Sequence, residues 1–170
     1  YVAAFRRARE RIDLVSPYFY PGSEFRRTLR DAARRGVQVR LLLQGKLDYR
    51  IAGLAAQVLY EELLLHGVRI YEYTPAFLHA KVALVDREWA TVGSSNIDPL
   101  SLLLNLEANV IVRDEDFNAI LAEAFEQSLA VATEVTSPPI RRGWRAAGRR
   151  LFVATAAHWY LRLAGITGRY

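Results

Sequence analysis

The sequence predicts an α/β fold, layered helix–sheet–helix around a mixed β-sheet. Three observations carry that expectation. Short runs rich in leucine and β-branched residues (IDLV, VQVRLLL, VRIYEY, LHAKVALV, WATV and LEANVIV) are bounded by Gly, Pro, Asp or Asn. Between several of them lie stretches with apolar residues at helical spacing, the pattern of strands alternating with helices. The runs 78–85 and 89–92 are joined only by the tight turn Asp86–Glu88. Such neighbours pair antiparallel, which makes the sheet mixed rather than all parallel.

Each element has a local reason. Residues 1–11 read as the end of a helix. IDLVSPYF is a buried strand closed by Pro17. Ser23, after Pro21-Gly22, is the expected N-cap of a helix whose apolar stripe is Phe25, Leu29, Ala32 and Ala33. Arg34-Arg35-Gly36 ends that helix with cations and a glycine cap. VQVRLLLQG is the second strand. A helix is expected from Ile51 to His66, capped by Gly67, and VRIYEY is a strand broken at Thr74-Pro75. Leu78–Val85 and Trp89–Val92 follow as strands. Asp98-Pro99 forms an N-cap and N1 pair for a helical turn. LEANVIVRD is the last predicted strand, and DEDFNAILAEAFEQSLAVATEV an amphipathic helix with acids in its first turn. Ser137-Pro138-Pro139 is a break. This divides the chain into a domain over 1–136 and a basic, amphipathic helical tail over 137–170, with Trp144, Phe152, Trp159 and Tyr160.

The 170 residues suffice for one well-buried domain, and 52% hydrophobic against 24% charged residues is an ordinary globular balance. With no cysteine, the chain has no disulfide, no thiolate metal site and no cysteine nucleophile. It also has no methionine and opens on Tyr1 in a helix-like stretch, so it is expected to be a segment of a longer chain. Its apolar runs are too short and interrupted for a membrane-spanning helix. The net charge of +5 is uneven: from Val135 onward there are seven arginines and no acids, leaving 16 basic and 18 acidic residues before it. A basic, aromatic tail fits an anionic partner, a membrane surface or a nucleic acid. A helix packed on the domain is the competing reading.

The chemistry concentrates in residues 79–96, HAKVALVDREWATVGSSN, which has the spacing H-x-K-x4-D-x6-G-S-x-N. If the run 78–85 is a strand, His79 and Lys81 share one face while Ala80, Val82 and Leu84 pack on the other. An imidazole and an ammonium held together fit an anion, with phosphate the obvious one. Gly93 allows close approach of backbone to a ligand, and Ser94 and Asn96 offer a hydroxyl and a carboxamide to phosphate oxygens. Glu107, in an apolar neighbourhood, needs a partner; if that partner is His79, it fixes the imidazole tautomer and favours its charged form. Any one of these residues alone is more often structural or merely on the surface; the combination at these spacings points to phosphodiester chemistry.

The motif resembles the signature of the phospholipase D superfamily. SPYFYPG, AARRGVQVRLLLQGKLD, LHAKVALVD, GSSNIDPLSLLLN and LEANVIV are similar to bacterial cardiolipin synthases, especially the C-terminal half of the B-type enzymes. The resemblance implies two motifs facing each other across a pseudo-twofold axis, with no metal and no other cofactor. One histidine attacks phosphorus to form a phosphohistidine. The other protonates the leaving alcohol and then deprotonates the incoming one. It implies catalytic positions at His79, Lys81, Asp86 (an orienting or structural group) and Glu107, and phosphate binding by Lys81, Ser94 and Asn96. It also implies phospholipid substrates, phosphatidylglycerol among them, and a peripheral place at the bacterial inner membrane, its cytoplasmic side being one option.

His66 and His158 lie in no second H-x-K pattern, so the chain carries half of such a site. The other half is expected from a preceding portion of the chain or from a second copy. Two further function classes compete with phosphatidyl transfer to phosphatidylglycerol. One is a homodimeric phosphodiesterase acting on nucleic acid, disfavoured by the full-length likeness to synthases. The other is a catalytically silent, membrane-binding half. Tyr18, Phe19 and Tyr20 at a strand exit either line a lipid-accessible mouth or pack on the domain. Gln44, Lys46 and Asp48 follow a strand end, where α/β sites gather, and no chemistry is assigned to them.

Overall fold

The computed structural model describes residues 1–45, 59–98 and 106–136. Lys46, Asp48, Pro99, the first part of the helix expected from Ile51, and the whole tail 137–170 lie outside them. The described order is α1 (Val2–Arg7), β1 (Arg11–Ser16), α2 (Ser23–Arg34), β2 (Gln38–Gln44), α3 (59–64), β3 (Arg69–Tyr73), β4 (Val82–Val85), β5 (Trp89–Gly93), β6 (Asn109–Arg113), α4 (Glu115–Ala130) and β7 (Thr133–Glu134).

The strands form a seven-stranded sheet in the order β6-β5-β4-β1-β2-β3-β7. β1, β2 and β3 run parallel, while β4, β5, β6 and β7 each pair antiparallel with a neighbour. The mixed α/β sheet expected from the sequence is therefore present.

Side-chain alternation sorts the core into two layers. On one face Ile12, Leu14, Val39, Leu41, Leu43 and Ile70 meet Phe5 of α1, Phe25 and Leu29 of α2, and Tyr60 and Leu63 of α3. On the other, Val15, Leu42 and Tyr71 meet Phe125 of α4, and Leu84 and Ala90 meet Ala122. β2 is buried on both faces, which is why it reads as an unbroken LLL run. Its one charge on the α4 face, Arg40, is 7% exposed and stands in register beside Asp13, 1% exposed. Nε and Nη2 of Arg40 donate to the Asp13 carboxylate at 2.7 and 2.9 Å, Nη1 reaches Glu126 at 2.7 Å, and the guanidinium lies 5.0 Å over the Phe125 ring. A charge buried between sheet and helix requires this full set of partners.

Helix ends follow local chemistry. α2 closes with a Schellman arrangement: Gly36, at φ 90°, donates to the Ala33 carbonyl and Val37 to that of Ala32. Asp114 caps α4, accepting the Phe117 N–H at 2.8 Å.

Several boundaries differ from the sequence reading. α1 ends at Arg7 rather than near residue 11, and β1 runs from Arg11 to Ser16, so Pro17–Phe19 lie beyond it. Gly22 is the N-cap of α2 and Ser23 its first helical residue. β4 begins at Val82, so His79, Ala80 and Lys81 precede the strand, and Ala80 is exposed rather than packed. β6 begins at Asn109, which leaves Glu107 ahead of it. α4 ends at Ala130, and Thr133–Glu134 pairs with β3 as β7. Propensity could not show that pairing, because Val131, Thr133 and Val135 leave the helix only where an edge strand awaits them.

Candidate functional site

The registers collect the site at one end of the strands. Val15 pairs with Val82, Val82 with Val92, Gly93 with Asn109, and Gln44 with Tyr73. The C-terminal ends of β1, β2, β3 and β5 and the starts of β4 and β6 thus lie together at that end of the sheet. His79, Lys81, Ser94, Ser95, Asn96 and Glu107 all lie in the segments leaving or entering it.

His79 is exposed and stacks on Phe77, with ring centroids 6.2 Å apart. Lys81 is buried at 6% exposure. Its Nζ donates to the His79 carbonyl at 2.9 Å and stands 3.3 Å from both ring nitrogens. The two side chains are therefore held together as the sequence predicts, although in the irregular segment ahead of β4 rather than by strand alternation. Burial lowers the Lys81 pKa, and the charge of Glu107 opposes that shift. Glu107 itself is half-buried.

The 93–96 turn is fastened by its own chain. Gly93 donates to the Lys81 carbonyl at 3.2 Å, and Ser94 N–H to that of Ala108 at 3.0 Å. Ser94 Oγ accepts the Ala108 N–H at 3.0 Å. Asn109 Nδ2 donates to Ser95 Oγ at 2.6 Å, and its Oδ1 accepts the Ser95 N–H at 3.4 Å. A Cβ at Gly93 would fall on the Ala108 carbonyl and on Asn109. The close approach that makes glycine necessary there is to the protein's own backbone. Asn96 is half-buried, with its carboxamide oxygen buried.

Asp86 sits elsewhere. It lies at the far end of β4, five residues and about 16 Å of extended chain from Lys81. Its carboxylate accepts the N–H groups of Arg9, Glu10 and Arg11 at 2.8 to 3.1 Å, and its carbonyl accepts Arg11 Nε at 2.9 Å. Its φ of 53° is left-handed, a conformation that aspartate tolerates. These contacts fasten the turn between α1 and β1 to the β4–β5 turn.

The aromatics after β1 divide. Phe19 is buried against Phe25, Tyr18 is exposed and Tyr20 half-buried. Tyr20 N–H donates to the Ile97 carbonyl at 2.7 Å, tying this exit to the end of the GSSN turn. His66 is a helix-end residue whose Nδ1 lies 2.7 Å from the Glu62 carbonyl. Asn109 was not singled out from the sequence, and nothing local could have marked it, since its partners lie fourteen residues back.

The comparisons agree on the family. The family described as "Cardiolipin synthase, PLD-like domain" matches residues 1–129. Cardiolipin synthase B of Escherichia coli (strain K12) is 45% identical over 147 residues, 85% of this chain and 36% of that protein. Cardiolipin synthase B of Salmonella typhi is 48% identical over 123 residues, 72% of this chain and 30% of that protein. The chain thus spans about a third of the length of these relatives. Among solved structures, the phospholipase D family member Nuc from Salmonella typhimurium superposes with a TM-score of 0.71 at 20% identity, covering 80% of this chain and 88% of that one, which is a likeness of fold. With a sheet of this topology, an H-x-K pair where β4 begins and these relatives, the chain belongs to the cardiolipin synthase, phospholipase D-like domain family.

Proposed function

We propose that this chain supplies one catalytic half of a phospholipid phosphatidyltransferase of the cardiolipin synthase type. The observation that carries the reading is the exposed His79 imidazole with the buried Lys81 ammonium 3.3 Å from its nitrogens, beside the Ser94–Asn96 turn. In the proposed reaction an imidazole nitrogen forms an N–P bond as the P–O bond to the leaving alcohol breaks. A histidine of the other half gives that alcohol its proton. The same histidine then takes the proton of an incoming hydroxyl, whose oxygen displaces the imidazole from phosphorus. Lys81, Ser94 and Asn96 hold the non-bridging oxygens, where negative charge grows. Glu107, whose charge acts on Lys81, balances the local positive charge, and orienting the His79 ring is the role proposed for it. Asp86 serves the scaffold.

The substrate pair proposed is a phosphatidyl donor and phosphatidylglycerol as acceptor, with the second half coming from another part of the full-length protein or from a second copy. Among the described residues no helix is long and apolar enough to cross a membrane. A peripheral position at the inner membrane, with the basic tail 137–170 on anionic lipid, is the proposed setting.

The test uses full-length protein and its His79→Ala variant, incubated with phosphatidylglycerol micelles and separately with plasmid DNA. Cardiolipin formed by the parent and lost in the variant is the expected result. DNA cleavage without lipid product would assign the site to a nucleic-acid phosphodiesterase instead, and inertness on both would leave a silent membrane-binding half.

A further inference from the structure

The segment carrying His79 has little structure of its own. Residues 74–81 belong to no helix or strand, and Thr74, Pro75, Ala76, Phe77, His79 and Ala80 are all exposed. A nucleophile on such a stretch needs tethers on both sides, because a displacement of about 1 Å at the reacting atom costs about 100-fold in rate. The tether on the C-terminal side has been described: Gly93 N–H donates to the Lys81 carbonyl.

The tether on the other side is Gln44. This last residue of β2 is 3% exposed, and its Oε1 accepts the N–H of Leu78, the residue before His79, at 2.6 Å. The bond joins positions 34 residues apart. The Leu78 side chain packs with Val15, Leu42, Tyr71 and Phe125 under α4. Alternation along β2 places Gln44 on that same α4 face, beyond Leu42 and Arg40. The next residue, Gly45, donates to the Tyr73 carbonyl at 3.0 Å, which holds the end of β2 against the strand that leads into the 74–81 segment.

We infer that Gln44 is a positioning residue for His79, acting through the Leu78 amide. Its bond to Leu78 reaches the backbone rather than a reacting atom. The carboxamide oxygen of Gln44 fixes the peptide unit from which the His79 backbone departs, while Lys81 and Gly93 fix the peptide on its other side. Glutamine suits a position that is 3% exposed because its oxygen accepts the bond while the side chain stays neutral.

The test compares the full-length protein with Gln44→Met, similar in length but a poor acceptor, and Gln44→Glu, which keeps an acceptor oxygen. Two readouts are independent of activity: amide exchange at Leu78 and the ring resonances of His79, both by NMR. The third, steady-state phosphatidyl transfer, rests on the function proposed above. In the parent, Leu78 should exchange more slowly than Ala76 and Phe77. Q44M should speed Leu78 exchange about 10-fold and shift the His79 ring signals. It should lower kcat roughly 10- to 100-fold with KM changed less than about 2-fold. Q44E should restore Leu78 protection through its acceptor oxygen, while kcat recovers only in part because a buried carboxylate now stands near His79.

Leu78 exchanging as fast as Ala76 in the parent would overturn the inference, and would decide it alone if Q44M did not fold. An opened Leu78 amide with unmoved His79 resonances or unchanged kcat would also overturn it. A parent that makes no lipid product counts against the transferase reading only, and the two NMR readouts then decide the role of Gln44.

Discussion

Lys81 Nζ lies 3.3 Å from both ring nitrogens of His79 and 2.9 Å from its carbonyl oxygen, so one ammonium holds both the ring and the backbone of the residue two before it. Burial works against that ammonium and lowers its pKa from the ordinary 10.5, with Glu107 opposing the shift. A base whose folded-state pKa is depressed binds fewer protons folded than unfolded. Its charge therefore destabilises the fold below the lowered pKa, and stability recovers as pH rises toward 10.5. Lys81→Met should abolish the proposed phosphatidyl transfer, and the stability of the parent relative to the variant should rise as pH climbs through that window. Urea unfolding of both proteins across pH 7 to about 10.5 checks this, and taking the difference cancels the tyrosines, which titrate in both.

The Asp86 contacts make a scaffold prediction. Asp86→Ala strands three backbone N–H groups and puts alanine at φ 53°. It should cost about 2–3 kcal/mol in unfolding free energy. Asp86→Asn, with an acceptor oxygen and tolerance of the left-handed region, should lose less than half of that. The specific activity of the folded fraction should hold in both, which separates Asp86 from His79 and Lys81.

Gly93 is required by the chain around it. Gly93→Ala should destabilise by about 3 kcal/mol or more and lower activity, because the new methyl meets the Ala108 carbonyl as well as Asn109. Adding Asn109→Ala should not rescue it: the Ala108 carbonyl and the Cα of residue 109 remain in the way. A double-mutant cycle on thermal stability measures this directly. Relief by Asn109→Ala would show that the side chain alone sets the limit.

The Asp13–Arg40 pair belongs to the sheet rather than the site. Arg40→Met leaves a buried carboxylate whose remaining cation, Arg11, is 3.8 Å away, and should cost about 3–5 kcal/mol. Combining it with Asp13→Leu should recover most of the loss, since Glu126 is half exposed and returns to water.

Much of this protein is written in local sequence. The apolar run of β2, the Phe25–Leu29–Ala32 stripe of α2, the Asp114 cap and the Gly36 terminator each follow from neighbours within four residues, where period and φ preference act. The motif spacing 79–96 is likewise linear, and it named His79, Lys81, Ser94 and Asn96 before any fold was known. What the sequence could not supply is how far each strand extends and which distant group holds each loop. β4 starts at Val82, just after the Lys81 carbonyl that accepts the Gly93 N–H from the neighbouring strand. The aspartate of the motif goes to the opposite end of the strand, into the amides of residues 9–11. Asn109 closes the 93–95 turn, and Gln44 holds Leu78. These contacts span 12 to 77 residues. A hydrogen bond across such a separation forms only after the sheet has brought both partners together, so no window of sequence contains its cause.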